Sequence, residues 1–333
     1  MSRSALTDLP LSRQAVDRDY LARSRPALFD ELWADPATRV MPLWQGRALL
    51  APSTDASRRL LALLPVEDVT AALVRVYLGR TLAGTDSVPP GTPVVAVVLT
   101  DAAATELEPD ESRWGNLRLA ATSLNDRDAG LFTEALAITN WHASHTHCPR
   151  CGTPTVVEQG GWVRRCFVDD TEVFPRTDAA VIVSVLDRDD RLLLGSNALW
   201  EANRYSLLAG FVEPGESFEA AVEREIFEEA GVRVVNPEYL GSQPWPFPAS
   251  IMVGYTARLA DDQEADALAP DGEEILALRW FSRQELWAQR ESVLLPGESS
   301  IARAIVEDWY GGPLDAPPRS TDVSPDVSPR HRP

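Results

Sequence analysis

Lysine is missing from this 333-residue chain: all 31 of its basic residues are arginine. That removes Schiff-base chemistry and the phosphate-binding lysine of a Walker A loop from consideration. Positive charge of any kind is scarce beside 50 acidic residues, and the net charge of −19 argues against unspecific binding to nucleic acid or to an anionic membrane. No apolar run approaches the roughly 20 residues needed to span a bilayer. The opening MSRSALTDLPLSRQAVDRDY lacks the hydrophobic segment of a signal peptide, so a cytoplasmic protein away from membranes is expected. Cysteine is confined to Cys148, Cys151 and Cys166, with His142, His145 and His147 beside the first of them. Such clustering without a secretory signal points to a metal more than to a disulfide framework.

What the chain does contain is ample for folding. An apolar fraction of 44% and ten tryptophans exclude global disorder, and the length suits two domains with a small insert. Residues 94–99, VVAVVL, follow a Pro-Pro-Gly turn signal and read as a buried strand. Residues 128–142 read as a helix, with Asp128 as its N-cap and Leu131, Ala135, Ile138 and Trp141 at helical spacing. A further strand over 179–186 turns at 187–190 and returns through Arg191–Leu194. Beyond residue 312 the text DAPPRSTDVSPDVSPRHRP cannot bury enough surface to order itself, and a disordered Pro-rich tail over 313–333 is expected.

Residues 210–232, GFVEPGESFEAAVEREIFEEAGV, carry the chemistry. Phe218, Ala221, Val222 and Ile226 recur at helical spacing, so Ser217–Ala230 is an amphipathic helix ended by Gly231. Glu225, Glu228 and Glu229 then fall at i, i+3 and i+4 on one side. Like charges so placed repel by a few tenths of a kcal/mol each. A divalent cation converts that repulsion into coordination by hard oxygens. On the helix alone a solvated acidic face is the commoner reading.

The complete spacing reverses that preference. Gly210, five residues, Glu216, seven residues, Arg224-Glu225-Ile226, one residue, Glu228-Glu229, one residue, Gly231-Val232 resembles the Nudix box at every position. The resemblance implies hydrolysis of a nucleoside diphosphate linked to another group, with Mg²⁺ or Mn²⁺ as the catalytic cofactor. It implies that Glu225, Glu228 and Glu229 hold the cations together with the carbonyl of Ala209, that Arg224 aims a glutamate, and that Glu229 meets the attacking water. Residues 242–250, Ser-Gln243-Pro244-Trp245-Pro246-Phe247-Pro248-Ala249-Ser250, resemble the signature loop of the NADH pyrophosphatases within that family. Rigid prolines and two large rings suit a dinucleotide, whose bases stack on flat apolar faces.

That narrower resemblance implies an α+β protein. Its parts are an N-terminal degenerate Nudix-like domain (1–140), a zinc ribbon (141–175) and a Nudix α/β/α sandwich catalytic domain (176–312). It also implies a homodimer. Phe174, Phe211, Ala302 and Arg118 match substrate contacts of the family, and Glu274, six residues before Trp280, matches an additional metal-binding glutamate. Cys148-Pro-Arg-Cys151-Gly is a zinc knuckle, and Cys166-Phe-Val-Asp169 stands where the second should be. Asp169 replaces the fourth cysteine of the family ribbons, so Asp169, His147 or His145 completes a structural Zn²⁺ site, unless the ribbon holds its shape by packing alone. The implied function is cleavage of NAD(H) into AMP and nicotinamide mononucleotide. The alternatives are removal of NAD caps from RNA, hydrolysis of ADP-ribose or a similar compound, and a binding module on an inactive Nudix domain.

Overall fold

The computed structural model describes residues 6, 9–55, 57–69, 71–85 and 87–318. Continuous burial along the central strands of the N-terminal half builds a sheet covered on both faces. Its strands are β1 (Val16–Asp17), β2 (Arg39–Trp44), β3 (Arg47–Leu49), β4 (Leu64–Pro65), β5 (Val74–Thr81), β6 (Pro93–Val98) and β7 (Trp114–Asn116). They lie in the order β1-β5-β6-β2-β3-β7, with β4 paired to β2 and β2 running parallel to β6. The helices of this half are α1 (Leu28–Ala34), α2 (Asp101–Leu107), α3 (Leu117–Ala120) and α4 (Asp126–Ser144). Met41, Leu43, Val76 and Leu78 pack on Leu131, Phe132 and Trp141 of α4. Their sequence neighbours Val40 and Tyr77 face the other way, onto Leu28, Leu32 and Ala104.

Helix α4 begins earlier than the sequence suggests. Asn125 is the N-cap, its side-chain oxygen accepting the Asp128 N–H at 2.9 Å. Asp128 lies inside the first turn and is wholly buried. Its carboxylate accepts the Leu61 N–H at 2.9 Å and the Arg127 Nε at 2.6 Å. An aspartate that sequence alone assigns to helix capping therefore ties the helix to a distant strand connection.

A small antiparallel sheet follows, made of β8 (Val156–Glu158), β9 (Val163–Arg165) and β10 (Glu172–Val173) in the order β10-β9-β8. The second large sheet comprises β11 (Asp178–Leu186), β12 (Leu192–Asn197), β13 (Leu208–Phe211), β14 (Val234–Trp245), β15 (Ser250–Leu259) and β16 (Ile275–Phe281). Its order is β14-β15-β11-β12-β16, with β13 paired to β11 and β11 parallel to β15. Helix α5 (Phe218–Ala230) covers one face through Ala221, Val222 and Ile226. Helix α7 (Ile301–Tyr310), preceded by the short α6 (Arg283–Ala288), covers the other through Ile301, Ile305 and Trp309. The result is the α/β/α sandwich.

Apart from β1, which has no counterpart, the two large sheets follow one path. In the second, the connection from β13 to β14 carries α5; in the first, the connection from β4 to β5 carries only a single 3-10 turn, Val66–Asp68. The N-terminal half thus repeats the sandwich without its glutamate helix.

The chain ends depart from the expected boundaries. Leu9 is buried in the core of the second sandwich, and the Leu11 N–H donates to the Gln243 side chain at 3.2 Å. Leu314 is also buried in that core, its N–H donating to Glu307 at 3.2 Å, so the fold continues past residue 312. Residues 319–333 of the expected tail lie outside the described residues.

Asp128→Ala should cost about 3–5 kcal/mol in a urea titration, because it leaves the Arg127 guanidinium buried and uncompensated. Asn125→Ala, which loses only a cap, should cost about 1 kcal/mol. Equal losses would show that Asp128 matters only as part of the helix start.

Candidate active site

Local sequence determines the glutamate helix. The Ser217 hydroxyl accepts the Ala220 N–H at 3.1 Å to start α5, and Gly231 ends it in the left-handed region at φ 71°. One guanidinium then organises the carboxylates. Arg224 donates to both oxygens of Glu216 at 2.8 and 2.9 Å. It also donates to Glu225 at 2.9 Å, to Glu228 at 2.9 Å and to the Phe211 carbonyl at 2.9 Å. Held by Arg224 and by the Glu213 N–H, the Glu216 carboxyl is pulled down to about 2. Glycine at 210 is dictated by the same group: a Cβ there would sit 2.0 Å from the Glu225 carboxyl carbon.

Glu229 is different. It is buried, and its Oε2 has no hydrogen-bond partner. Burial, reinforced by the charges of Glu225, Glu274 and Asp271, pushes its carboxyl up to about 8. A buried carboxylate oxygen without a donor, beside three further acids, fits a cation ligand. Asp271 is an addition that sequence reasoning missed; its side chain accepts the backbone N–H groups of Glu273, Glu274 and Ile275 at 2.9–3.0 Å and fixes the turn into β16. Glu274, half of this acidic wall, accepts from Asn197 at 3.2 Å. Ala209, beside Gly210 on β13, is paired to Ile182.

The aromatic loop is fastened to the other sandwich. Trp245 and Phe247 meet edge to face, with centroids 4.9 Å apart. The Arg118 guanidinium lies 4.1 Å from the Phe247 ring centroid and 5.2 Å from that of Trp245. Asn140 of α4 donates to the carbonyls of Pro246 and Pro248, each at 3.0 Å. Arg118, Trp245, Trp200, Tyr205, Met252 and Ala302 line a cavity of about 500 Å³. Its neighbours Pro244 and Pro246, with Ala249 and Ser250, line a separate cavity of about 430 Å³. Gln243 faces neither cavity. It is wholly buried, with its amide oxygen taken by Leu11 and its amide nitrogen by the Ser299 carbonyl at 3.1 Å, which makes it a structural anchor. Phe174 and Phe211 are 60% exposed and lie outside the lining of the 500 Å³ cavity.

In the small sheet, one ligand atom each of Cys148, Cys151, Cys166 and Asp169 lies within 4.8 Å of the others. Cys148 Sγ is 3.5 Å from Asp169 Oδ2, and Cys151 Sγ is 3.4 Å from Cys166 Sγ. Three sulfurs and one oxygen brought together from two tight turns fit tetrahedral Zn²⁺. His145 and His147 are outside this cluster, their Nδ1 atoms meeting the Ser144 and Thr146 hydroxyls at 2.9 and 2.8 Å. Asp169, not a histidine, is therefore the side chain placed for the fourth position. His142 is buried between Arg164 and the Gly161 carbonyl, and burial lowers it to about 4.

Family comparisons divide the chain along the same lines. A NUDIX domain matches residues 175–303, an NADH pyrophosphatase-like rudimentary NUDIX domain 37–141, and an NADH pyrophosphatase zinc ribbon domain 143–174. The chain is 38% identical over 313 residues to the NAD-capped RNA hydrolase NudC of Mycobacterium bovis, covering 87% of this chain and 96% of that protein. It is 37% identical, with the same coverage, to NudC of Mycobacterium tuberculosis. It is also 34% identical over 204 residues to the human NAD-capped RNA hydrolase NUDT12, covering 57% of this chain and 43% of that protein.

Two outcomes follow from this geometry. A Glu229 carboxyl raised from its unfolded value favours the fold at low pH, and that contribution fades as pH rises through about 8. Glu229→Gln should therefore raise the melting temperature of metal-free protein more at pH 8 than at pH 5; an equal shift at both would remove the buried-charge argument. Metal analysis of protein prepared without chelator should give about one zinc per chain, and Asp169→Ala should lower that content; unchanged zinc in this variant would assign the fourth ligand elsewhere.

Proposed function

The chain belongs to the NADH pyrophosphatase group of the Nudix hydrolases, and we propose that it hydrolyses the diphosphate of NAD(H), free or as the cap of an RNA 5′ end. The observation that carries this reading is the presence in one chain of the whole glutamate box and of a Trp245–Phe247 loop braced by Arg118 beside a cavity. Glu225, Glu228, Glu229 and Glu274, with the carbonyl of Ala209, would hold Mg²⁺ or Mn²⁺, which prefer such oxygens. When bound, these cations neutralise the diphosphate and make water a stronger nucleophile.

The protein's own groups divide the remaining work. Arg224 keeps Glu216, Glu225 and Glu228 aimed. Glu229 accepts the proton of the attacking water, the oxygen bridge between the phosphorus atoms breaks, and AMP and nicotinamide mononucleotide depart. A capped RNA would instead leave as a 5′-monophosphate chain. Trp245 and Phe247 offer faces to the bases, and Ala302 lines the pocket floor. Zn²⁺ in the small sheet has a structural role, since all four ligand positions come from the protein.

The active form is a homodimer: Leu199, 93% exposed, and Trp200 on the cavity rim are apolar groups that a second copy would cover. No helix of the described residues is long and apolar enough to cross a membrane, and the strongly acidic charge agrees with a cytoplasmic site of action.

Purified protein given NADH and Mn²⁺ should release AMP and reduced nicotinamide mononucleotide, while Glu229→Gln should lower turnover by roughly 10²–10⁴-fold. Trp245→Ala should lower kcat/KM for NADH by roughly 1–3 kcal/mol, and ADP-ribose hydrolysis less, if this ring serves the nicotinamide end. Intact NADH after incubation with folded, metal-supplied enzyme would overturn the assignment.

A further inference from the structure

In a protein of net charge −19, two arginines beside the proposed active-site pocket have nothing to bind. Arg47 and Arg59 are half-buried, and among the described residues neither guanidinium has a carboxylate, carbonyl or ring as partner. Guanidinium groups elsewhere in the chain are largely taken up: Arg224 by three glutamates, Arg127 by Asp128, Arg165 by Glu158 and Asp170. A half-buried guanidinium presents planar donors suited to a phosphate, and leaving them unused in a mostly acidic protein is unfavourable.

Both backbones are firmly held. Arg47 is on β3, paired with Asn116 of β7, and the Arg59 N–H donates to the Ser123 carbonyl at 3.0 Å. They line a groove of about 410 Å³ together with Ser112, Trp114, Asn116 and Leu119, and no carboxylate lines it. Leu119, 85% exposed, lines this groove and also the 500 Å³ cavity that holds Arg118 and Trp245. Groove and pocket therefore share a wall.

We infer that this groove receives the phosphodiester backbone of the first nucleotides of an NAD-capped RNA, with Arg47 and Arg59 as its phosphate contacts. The inference rests on the proposed diphosphate hydrolysis and adds the site that tells a capped RNA from the free dinucleotide. In such a substrate the RNA continues from the 3′ oxygen of the adenosine, so that oxygen must face Leu119. Free NAD(H) ends there and gains nothing from the groove.

The test compares wild-type enzyme with the double variant Arg47→Gln/Arg59→Gln on NADH and on a short NAD-capped RNA, across a salt series. Arg233→Gln, exposed just before β14, serves as a control for loss of one surface positive charge. The double variant should keep the wild-type melting temperature and kcat/KM for NADH, and lose about tenfold or more in kcat/KM for the capped RNA at low salt. Its dependence of log kcat/KM on log salt should be shallower by roughly 0.7 for each phosphate contact removed. Capped RNA processed as well by the double variant as by wild type would overturn the inference, as would an equal loss on both substrates or the same loss in Arg233→Gln. Wild-type enzyme that cleaves NADH but leaves capped RNA intact would also sink it while sparing the NADH assignment. Cleavage of neither would sink the function itself.

Discussion

Arg224 is the contact on which the catalytic helix depends. Glu216, Glu225 and Glu228 would repel one another on a short segment of an already acidic protein, and the guanidinium reaches all three, together with the Phe211 carbonyl. Lysine could not replace it, because a single ammonium lacks the planar fork that serves Glu216 with two nitrogens while a third meets Glu225 and Glu228. Glu229 is the one box carboxylate on the cation side that Arg224 leaves alone. Its isolation in the folded protein is costly, and a cation bound there would relieve that cost. Stability and chemistry oppose each other at this one side chain.

The second constraint crosses the molecule. The aromatic loop belongs by sequence to the catalytic sandwich, yet Asn140 and Arg118 of the N-terminal half fix its carbonyls and its rings. Proline supplies the stiffness and removes backbone donors, which leaves the loop few hydrogen bonds of its own beyond that from the Phe247 N–H to the Trp245 carbonyl. The clamp from the other half adds to it. A half that has lost the glutamate helix thereby helps to shape the proposed dinucleotide surface, since Arg118 and Leu119 line its cavity together with Trp245.

How much of this could be read from the sequence depended on how local each feature is. The cap at Ser217, the stop at Gly231 and the spacing of Glu225, Glu228 and Glu229 are short-range facts, and the structure places them as the text implies. The cysteine turns are equally local, and the structure brings Asp169 within 4.8 Å of the three sulfurs although it departs from the usual cysteine. Asn140 was invisible: an asparagine on a helix has no signature, and its partners lie 106 and 108 residues away. Asp128 was misassigned for the same reason, since an acid near a helix start reads as a cap until the Leu61 N–H arrives from 67 residues earlier. Gln243 shows the reverse error. A motif match suggests ligand contact for every member of the loop, whereas Trp245 lines the pocket and Gln243, two residues earlier, is committed to the core by its hydrogen bonds to Leu11 and Ser299.

The repeated sheet explains why the N-terminal half has room for a different partner. In the catalytic sandwich the segment between β13 and β14 is occupied by α5, whose carboxylates repel any bare phosphate not accompanied by a cation. In the N-terminal sandwich the equivalent segment is a single turn, and no wall of glutamates grows from it. Arginines on β3 and in the connection after it can then remain free of acid partners, as Arg47 and Arg59 do. The sandwich without the glutamate helix also lacks its carboxylates, so a polyanion meets less repulsion there. One fold, used twice, yields an acidic surface that needs a metal and a neighbouring basic groove that does not.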